Sequence, residues 1–371
     1  MNTPIGNILI LDNSPSITGA YKSIVSVAKT LQKKHHFVFT SPSPPLVESL
    51  SRSKISAYHI PFLEIQKNWR LFFYIPVLII NCFRIQRIIN KRQINIIHVN
   101  DLYNMCGIIL KIFNPKLSLV YHVRLLPTSY AKKLYYIWRK LIEKYADEII
   151  FVSNTVASNF KRGVIIYDAI PDTISPQLSS KKQQNESFTI LYLSNYIEGK
   201  GHKQAIDAYK LALPSINNTQ LVFKGGTLGK LKNQAFKNTL VNYTAKLGLE
   251  KHIIFNEFSN NPKADVIKAD LMLNFSESES FSMTTLEALV YQTPIIATAC
   301  GGPSEIIEHN KSGMLVSVND ILAMSKAIIR LANDAALRTL FILEGKKRAE
   351  SKFDFNNQVN LVSSVYTRLL K

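Results

Sequence analysis

The sequence predicts an α/β chain made of two doubly wound domains. In both halves, short apolar runs rich in β-branched and aromatic residues alternate with helical patterns, which is typical of parallel sheets covered by helices. With 371 residues the chain is also too long for one ordinary domain, since a domain averages about 150 residues. Hydrophobic residues make up 46% and charged residues 19%, so both halves are expected to fold around real cores.

The first half begins with a predicted strand and a helix at Tyr21–Gln32. Its predicted strands are Ile8–Leu11, Phe37–Thr40, Ile96–Val99, Leu117–Tyr121 and Ile149–Val152. The segment Pro171–Ser187 is rich in Ser, Lys, Gln and Pro and is the predicted linker. We therefore expect one Rossmann-like domain at 1–176 and a second at 186–352.

The second half repeats the same alternation. Its predicted helices are Gln204–Leu213 and Phe236–Leu247, and its predicted strands are Thr189–Leu193, Gln220–Phe223, Ile253–Phe255, Leu271–Phe275 and Ile295–Ala297. Two Rossmann-like domains that face one another form a cleft, where a ligand is expected.

A net charge of +19 and a pI near 9.7 indicate an anionic partner, which could be nucleic acid, a membrane surface or a phosphorylated substrate. Nucleic acid is disfavoured because the sequence has neither finger-type Cys/His spacing nor an RRM-like aromatic motif. The isolated cysteines Cys82, Cys106 and Cys300 are typical of a reduced, cytoplasmic protein. The N-terminus lacks a charged leader, so no signal peptide is predicted.

Two segments raise the question of membrane contact. Leu71–Phe83 is strongly apolar, but Arg70 and Arg84 bracket it below the roughly 20 residues that a spanning helix needs. We expect a buried helix there, and an element in the lipid interface is the alternative. Tyr130–Tyr145 is predicted to be a basic amphipathic helix, either packed on a sheet or in contact with an anionic leaflet. Its predicted apolar face contains Leu134, Ile137, Trp138, Leu141 and Tyr145.

The run from Asn274 to Ile307 combines a buried strand, a polar turn, a helix start and a second strand. Because the turn follows a parallel strand, it should lie at the carboxyl edge of the sheet, where ligands bind. The amides of Phe281, Ser282 and Met283 are then donors at a helix N-terminus. Glu279 is placed to accept hydrogen bonds from a polyol, and the pattern as a whole suggests a sugar joined to a phosphate.

Glu287 permits two interpretations. It can reach a second part of the same ligand, or it can complete a capping box that begins at Thr284 and satisfy a backbone donor.

This part of the sequence resembles the retaining glycosyltransferases of family GT4, which have the GT-B fold. The resemblance lies in Glu279 and Glu287 with seven residues between them, followed by Ala288, Thr293-Pro294 and the turn Gly301–Glu305. Weaker similarities occur at Ile8–Ile10 with Gly19, Ile96–His98, Tyr121–His122, Phe151–Ser153 and Leu191–Gly201. The resemblance implies an acceptor-binding first domain, a donor-binding second domain, and a C-terminal helix within 353–371 that crosses back onto the first domain.

The resemblance also implies a donor site. Lys200 would hold the diphosphate, with Asn195 standing where the family usually has arginine, and Gly226 and Gly19 would allow close backbone approach. Glu279 would bind the donor sugar with help from the amides of Phe281, Ser282 and Met283. Glu287 would bind the ribose, Phe258 the base, and His122 would lie near the reacting sugar.

The implied reaction moves a hexose-type sugar from a nucleotide-diphosphate sugar to a hydroxyl of a lipid-linked, lipopolysaccharide or capsule acceptor, with front-side displacement. No D-x-D pair occurs, so no metal or other cofactor is expected. The expected location is cytoplasmic, at the inner face of the cytoplasmic membrane, against an anionic lipid surface. The alternatives are an epimerase or phosphorylase of similar architecture and, less favoured, a basic nucleic-acid-binding protein.

Overall fold

The computed structural model describes residues 6–63, 71–129, 132–171, 187–258 and 261–371. Contacts divide the chain into two compact units, which we call unit 1 (Met1–Asp168 with Phe355–Lys371) and unit 2 (Ala169–Asp354). Most of the predicted linker and the first two residues of the predicted helix at Tyr130–Tyr145 lie outside the described residues.

Unit 1 alternates strands and helices from its first described residues. The strands are β1 (Asn7–Leu11), β2 (His36–Ser41), β3 (Ser56–His59), β4 (Ile96–Val99), β5 (Ser118–Val123), β6 (Glu148–Phe151) and β7 (Val164–Ile165). The helices are α1 (Gly19–Leu31), α2 (Pro44–Arg52), α3 (Leu71–Arg92), α4 (Cys106–Phe113), α5 (Lys132–Tyr145), α6 (Asn154–Ala157) and, at the C-terminus, α14 (Phe355–Leu369).

The sheet of unit 1 is parallel and has the order β3-β2-β1-β4-β5-β6-β7. Because β1 and β4 are neighbours in the middle, the chain reverses its winding direction between them. The central strands read as continuous apolar runs because helices cover both of their faces. Ile8 and Ile10 of β1, for example, are completely buried.

The C-terminal helix belongs to unit 1, as the sequence predicted. Helix α14 packs against α1, and its Val362 and Tyr366 join the core that α1 and the strands build. The Tyr366 hydroxyl also lies 2.8 Å from His98 Nδ1 on β4. The last turns of the chain therefore complete the first domain.

Unit 2 has the same architecture. The strands are β8 (Phe188–Leu193), β9 (Thr219–Lys224), β10 (Ile253–Asn256), β11 (Leu271–Asn274), β12 (Ile295–Thr298) and β13 (Met314–Val316). The helices are α7 (His202–Ala212), α8 (Leu231–Lys246), α9 (Pro262–Lys268), α10 (Met283–Val290), α11 (Gly302–Ile306), α12 (Ile321–Asn333) and α13 (Ala335–Lys352). The parallel sheet has the order β10-β9-β8-β11-β12-β13, so β8 and β11 flank its switch point.

Two expectations about helices were wrong, the second only in part. The apolar segment at 71–83 is not a buried helix: it forms the first half of α3, a helix of 22 residues, and Ile80 and Phe83 there are exposed. In α5 the predicted apolar face is correct in part: Trp138 is buried and Leu134, Leu141 and Tyr145 are half-buried, but Ile137 is exposed, and Tyr135 and Ile142 complete the buried side. Tyrosine and tryptophan combine an apolar body with a polar tip, so periodicity alone placed the buried face one residue away.

Candidate active site

Several of the residues predicted for ligand binding in unit 2 lie on the loops that follow β8 and β11 at the carboxyl edge of the sheet, whereas Gly226 follows β9, Phe258 follows β10 and Glu287 lies within α10. These two strands are paired at the switch point, the position at which open α/β sheets bind ligands. The loop after β8 contains Asn195 and Lys200, and the loop after β11 contains Glu279 and Phe281. The fold thus brings together side chains that are far apart in the sequence.

Lys200 and Glu279 form an ion pair, with 2.7 Å between Lys200 Nζ and Glu279 Oε1. The hydroxyl of Ser276 donates to the same carboxylate oxygen at 2.8 Å. The lysine side chain is 32% exposed and the glutamate side chain 15% exposed, so a ligand can reach both groups. The proposed cation and the proposed sugar-binding carboxylate neutralise each other in this structure.

Helix α10 begins at the same place. Ser282 is its N-cap, with the left-handed backbone angle φ 87°, and its hydroxyl accepts from the backbone N–H of Thr285. Buried Asn274, at the end of β11, donates from Nδ2 to Ser282 Oγ at 2.7 Å. This contact fixes the start of the helix and directs its first amides towards the loop edge.

The observed cap rules out the capping box predicted at Thr284. With Ser282 as N-cap, Thr285 is the third helical residue and Glu287 is the fifth, which is beyond the reach of a capping-box side chain. The interpretation of Glu287 as the last residue of a capping box is therefore wrong. Binding of a ligand through Glu287 stays a prediction.

Close backbone packing holds the 279–282 turn in place. A Cβ atom added at Gly302 would lie 2.0 Å from the carbonyl oxygen of Phe281, so only glycine fits there. The Gly302 N–H donates to the Glu279 carbonyl at 2.9 Å, and the Glu279 N–H donates to the Cys300 carbonyl at 3.2 Å. The Gly-Gly turn that follows β12 is thus a backbone support for the site.

Asn195 is tied to the glycine turn after β9. Its Oδ1 accepts from the N–H of Gly226 at 3.1 Å, which orients the amide group. A Cβ added at the neighbouring Gly225 would lie 1.8 Å from the Ser194 carbonyl oxygen, whereas one added at Gly226 would meet its nearest atom, Asn195 Oδ1, at 3.4 Å. The close approach seen here is between two loops of the protein, and a role of Gly226 towards a ligand stays a prediction. The Phe258 side chain is 51% exposed beside Gly226, so its ring is available to a planar ligand group.

Sequence reasoning missed Asn274 and Ser276. Asn274 supports the N-cap residue Ser282, and Ser276 Oγ lies 2.8 Å from both Asn274 Oδ1 and Glu279 Oε1, so its single hydroxyl hydrogen is shared between these two acceptors. The sequence feature that could have indicated them is a pair of polar residues, Asn274 and Ser276, at the end of an otherwise apolar strand. Buried polar side chains at such a position usually satisfy a specific partner.

In unit 1, Gly19 is the first residue of α1, and Thr18 caps the helix by accepting from the Tyr21 N–H at 3.1 Å. His122 does not end its strand, because β5 continues to Val123, and its ring is buried. Burial, then Arg124 and His98, lower the pKa of His122 well below its usual range, so the imidazole is neutral. A role for His122 near the sugar stays a prediction.

Arg124 is the unit 1 residue that the sequence analysis did not single out. It forms a buried ion pair with Asp168 and donates from Nε to Asn100 Oδ1 at 2.8 Å. Asp168 also accepts from Ser23 at 2.6 Å and from Gln358 of α14 at 3.2 Å. This network joins the carboxyl edge of the sheet to the last residue before unit 2 and to α14.

Comparison with known proteins identifies the family. Residues 17–169 match the model described as Glycosyltransferase Family 4, and residues 175–348 match the model described as Glycosyl transferases group 1. The two matches lie in tandem and together span most of the chain.

Within the part of the chain that the structure describes, no group of three or more His, Cys, Asp or Glu side chains is placed to hold a metal ion.

An uncharacterized glycosyltransferase of Methanocaldococcus jannaschii is 27% identical over 96% of this chain and 96% of its own length. The lipopolysaccharide core biosynthesis mannosyltransferase LpsB of Rhizobium meliloti is 23% identical over 67% of this chain and 73% of its own length. The chain spans about half the length of several other curated relatives that it matches.

Among solved structures, the Anabaena protein HepE in complex with UDP and glucose superposes with a TM-score of 0.83 and 19% identity, covering 98% of this chain and 100% of that one. This likeness establishes the fold. Given the two family matches, the parallel sheets of seven and six strands and the full-length relative, the chain belongs to the family 4, group 1 glycosyltransferases, enzymes of the GT-B fold.

Proposed function

We propose that this glycosyltransferase moves a hexose-type sugar from a nucleotide-diphosphate sugar to an acceptor hydroxyl, with retention at the anomeric carbon and without a metal. The observation that carries the proposal is the placement of Lys200, Glu279 and the start of α10 at one sheet edge. It offers a cation and oriented amides for a diphosphate, next to a carboxylate for sugar hydroxyls.

In the proposed reaction, the bond between the anomeric carbon and the phosphate oxygen breaks and a bond to the acceptor oxygen forms on the same face. The acceptor proton passes to the departing phosphate oxygen. Lys200 and the amides of residues 281–283 stabilise the negative charge that develops on the diphosphate. Because these groups are already in place, they require little reorganisation during the reaction.

The other predicted residues have binding roles in this proposal. Glu279 accepts hydrogen bonds from the donor sugar, and Glu287 accepts them from the ribose. The exposed ring of Phe258 stacks on the base, and Asn195, whose Oδ1 is already bonded to Gly226, presents its Nδ2 to a phosphate oxygen. Gly19 and His122 serve the transferring group from unit 1.

The acceptor in this proposal is a lipid-linked, lipopolysaccharide or capsule glycan. Support comes from the lipopolysaccharide core transferase among the relatives and from the net charge of +19, which suits an enzyme working at an anionic leaflet. We place the enzyme at the inner face of the cytoplasmic membrane as a peripheral protein. Among the described residues, no helix has the length and apolarity that crossing a membrane requires.

Thermal unfolding with UDP, GDP, ADP, CMP and their sugar conjugates tests the donor site, since a ligand that binds only the native state raises the melting temperature. We expect a shift with one nucleotide class, unchanged by EDTA, that Glu287→Ala removes. The matched control is Glu350→Ala on α13, where the carboxylate is 63% exposed and its cation is 3.9 Å away. A melting temperature that no nucleotide changes, or a shift that survives Glu287→Ala, would refute the assignment.

A further inference from the structure

We infer that the exposed side of α3, α4 and α5 in unit 1, here called the α3–α5 face, is a docking surface for an anionic lipid leaflet. The inference deepens the proposed peripheral location and rests on it. It does not depend on the chemistry of the donor site.

Exposed apolar side chains are concentrated on this face. Of the eleven large hydrophobic residues that the described part of unit 1 exposes, nine lie on these three helices, so the distribution is not that of scattered surface residues. They are Phe73, Ile75, Ile79, Ile80, Phe83, Ile112, Phe113, Tyr136 and Ile137. The three helices lie side by side, with α4 in contact with both α3 and α5, so these side chains belong to neighbouring helices.

The exposed side of α3 is apolar in the first half of the helix and cationic in the second half. Ile80 and Phe83 belong to its apolar first half, and Phe83 is 68% exposed. The positions that continue the same side towards the C-terminus are Arg84, Arg87 and Lys91, all exposed. This arrangement would let a tilted α3 place its apolar first half at the acyl boundary and its cations at the headgroups.

The positive charge of the α3–α5 face favours an anionic lipid leaflet as its partner. Glu143 is the only acidic residue within the sequences of α3, α4 and α5, while α5 alone exposes Lys133, Lys140 and Lys144. The exposed ring of Tyr136 lies under the Lys140 ammonium, 4.5 Å from it, and such aromatic–cation pairs suit the headgroup level. A second copy of the chain would set these cations against each other, whereas an anionic leaflet attracts them.

The test measures binding of the full chain, without nucleotide, to vesicles of phosphatidylcholine with and without phosphatidylglycerol. We expect binding to the anionic vesicles only, weakened by added salt. In the double variant Arg84→Gln/Arg87→Gln, affinity should fall about thirtyfold, since each cation near an anionic surface contributes about fivefold. The control Lys210→Gln/Lys251→Gln removes two exposed cations from unit 2, changes the net charge equally and should bind like the wild type.

The apolar contribution is tested by Phe83→Ser, which should weaken vesicle binding about tenfold or more, since burial of a phenylalanine side chain is worth roughly that much. Its control is Leu231→Ser in unit 2, where the leucine is 89% exposed. Equal loss in variant and control, or no binding of the wild type to anionic vesicles, would overturn the inference.

A dimer that Phe83→Ser dissociates in sedimentation velocity, together with absent vesicle binding, would assign the surface to a second copy and also overturn the inference. Each surface variant should keep the wild-type melting temperature and nucleotide response. A chain that binds vesicles but no nucleotide would retain the lipid surface and refute the proposed function instead.

Discussion

Replacing Lys200 by methionine distinguishes a role in ligand binding from a role in stability, because among the described residues its ammonium forms an ion pair only with Glu279. The Lys200–Glu279 pair is short, at 2.7 Å, but both side chains are solvent-accessible. Such a pair contributes about 0.5–1 kcal/mol to the free energy of unfolding. A hydrogen bond from the ammonium to a diphosphate is worth about 1.5–3 kcal/mol, which corresponds to a factor of about 10–150 in the dissociation constant.

Lys200→Met should therefore unfold at nearly the wild-type urea concentration and bind the nucleoside diphosphate about 10–150-fold more weakly by calorimetric titration. The control is Lys203→Met, three residues further along, where the lysine forms a pair of similar length, 2.8 Å, with Asp207. That variant should lose comparable stability and keep nucleotide affinity. Equal nucleotide affinity in wild type and Lys200→Met, or equal loss in both variants, would refute the role of Lys200.

Glu279→Gln provides the reciprocal test. The neutral amide oxygen can still accept from the Lys200 ammonium but holds it more weakly, so the nucleoside diphosphate should bind at least as tightly as to the wild type. Sugar transfer should fall, because the amide is a weaker acceptor for sugar hydroxyls. A loss of affinity for the nucleotide alone would show that the carboxylate supports diphosphate binding and does not compete with it.

Two further predictions concern buried groups. Arg124→Met leaves the Asp168 carboxylate buried without its cation, so it should lower the free energy of unfolding by about 3–5 kcal/mol, as measured by urea titration. The control is Arg52→Met, which removes an exposed ion pair and should change the free energy of unfolding by less than about 1 kcal/mol. Burial lowers the pKa of His202 from its usual 6.5 to about 4. Between pH 6.5 and pH 4 the unfolded chain therefore binds more protons than the folded chain, so the free energy of unfolding falls as the pH drops, by at most about 3 kcal/mol. His202→Phe should flatten this part of the stability profile, and an unchanged slope would contradict the assignment.

The sequence predicted most of the architecture because long apolar runs and helical patterns alternate regularly. It missed β3, β7 and β13, which are short and carry weak patterns, as in the two-residue strand Val164–Ile165. It also missed the exposure of α3. An apolar segment of a folded domain is usually buried, and the sequence pattern does not show that Ile80 and Phe83 are exposed.

The site was predicted in part. The two loops could be assigned to the carboxyl edge of one sheet, but the sequence does not show that β8 and β11 are neighbours, and this pairing is what brings Lys200 within 2.7 Å of Glu279. The N-cap at Ser282 was also unpredictable. A serine with φ 87° depends on support from outside its own helix, here from buried Asn274.

The site combines a fixed backbone with adjustable side chains. Gly302 packs so closely against Phe281, and Gly201 so closely against the carbonyl of Phe275, that neither position has space for a side chain. Lys200 and Glu279, in contrast, are held by one accessible ion pair and one serine hydroxyl, which are weak constraints. Donor binding should therefore exchange side-chain partners without moving the backbone. If the proposed donor site is right, the amides at the start of α10 are preorganised for the developing phosphate charge, and the Lys200–Glu279 pair holds both side chains where the diphosphate and the sugar would bind.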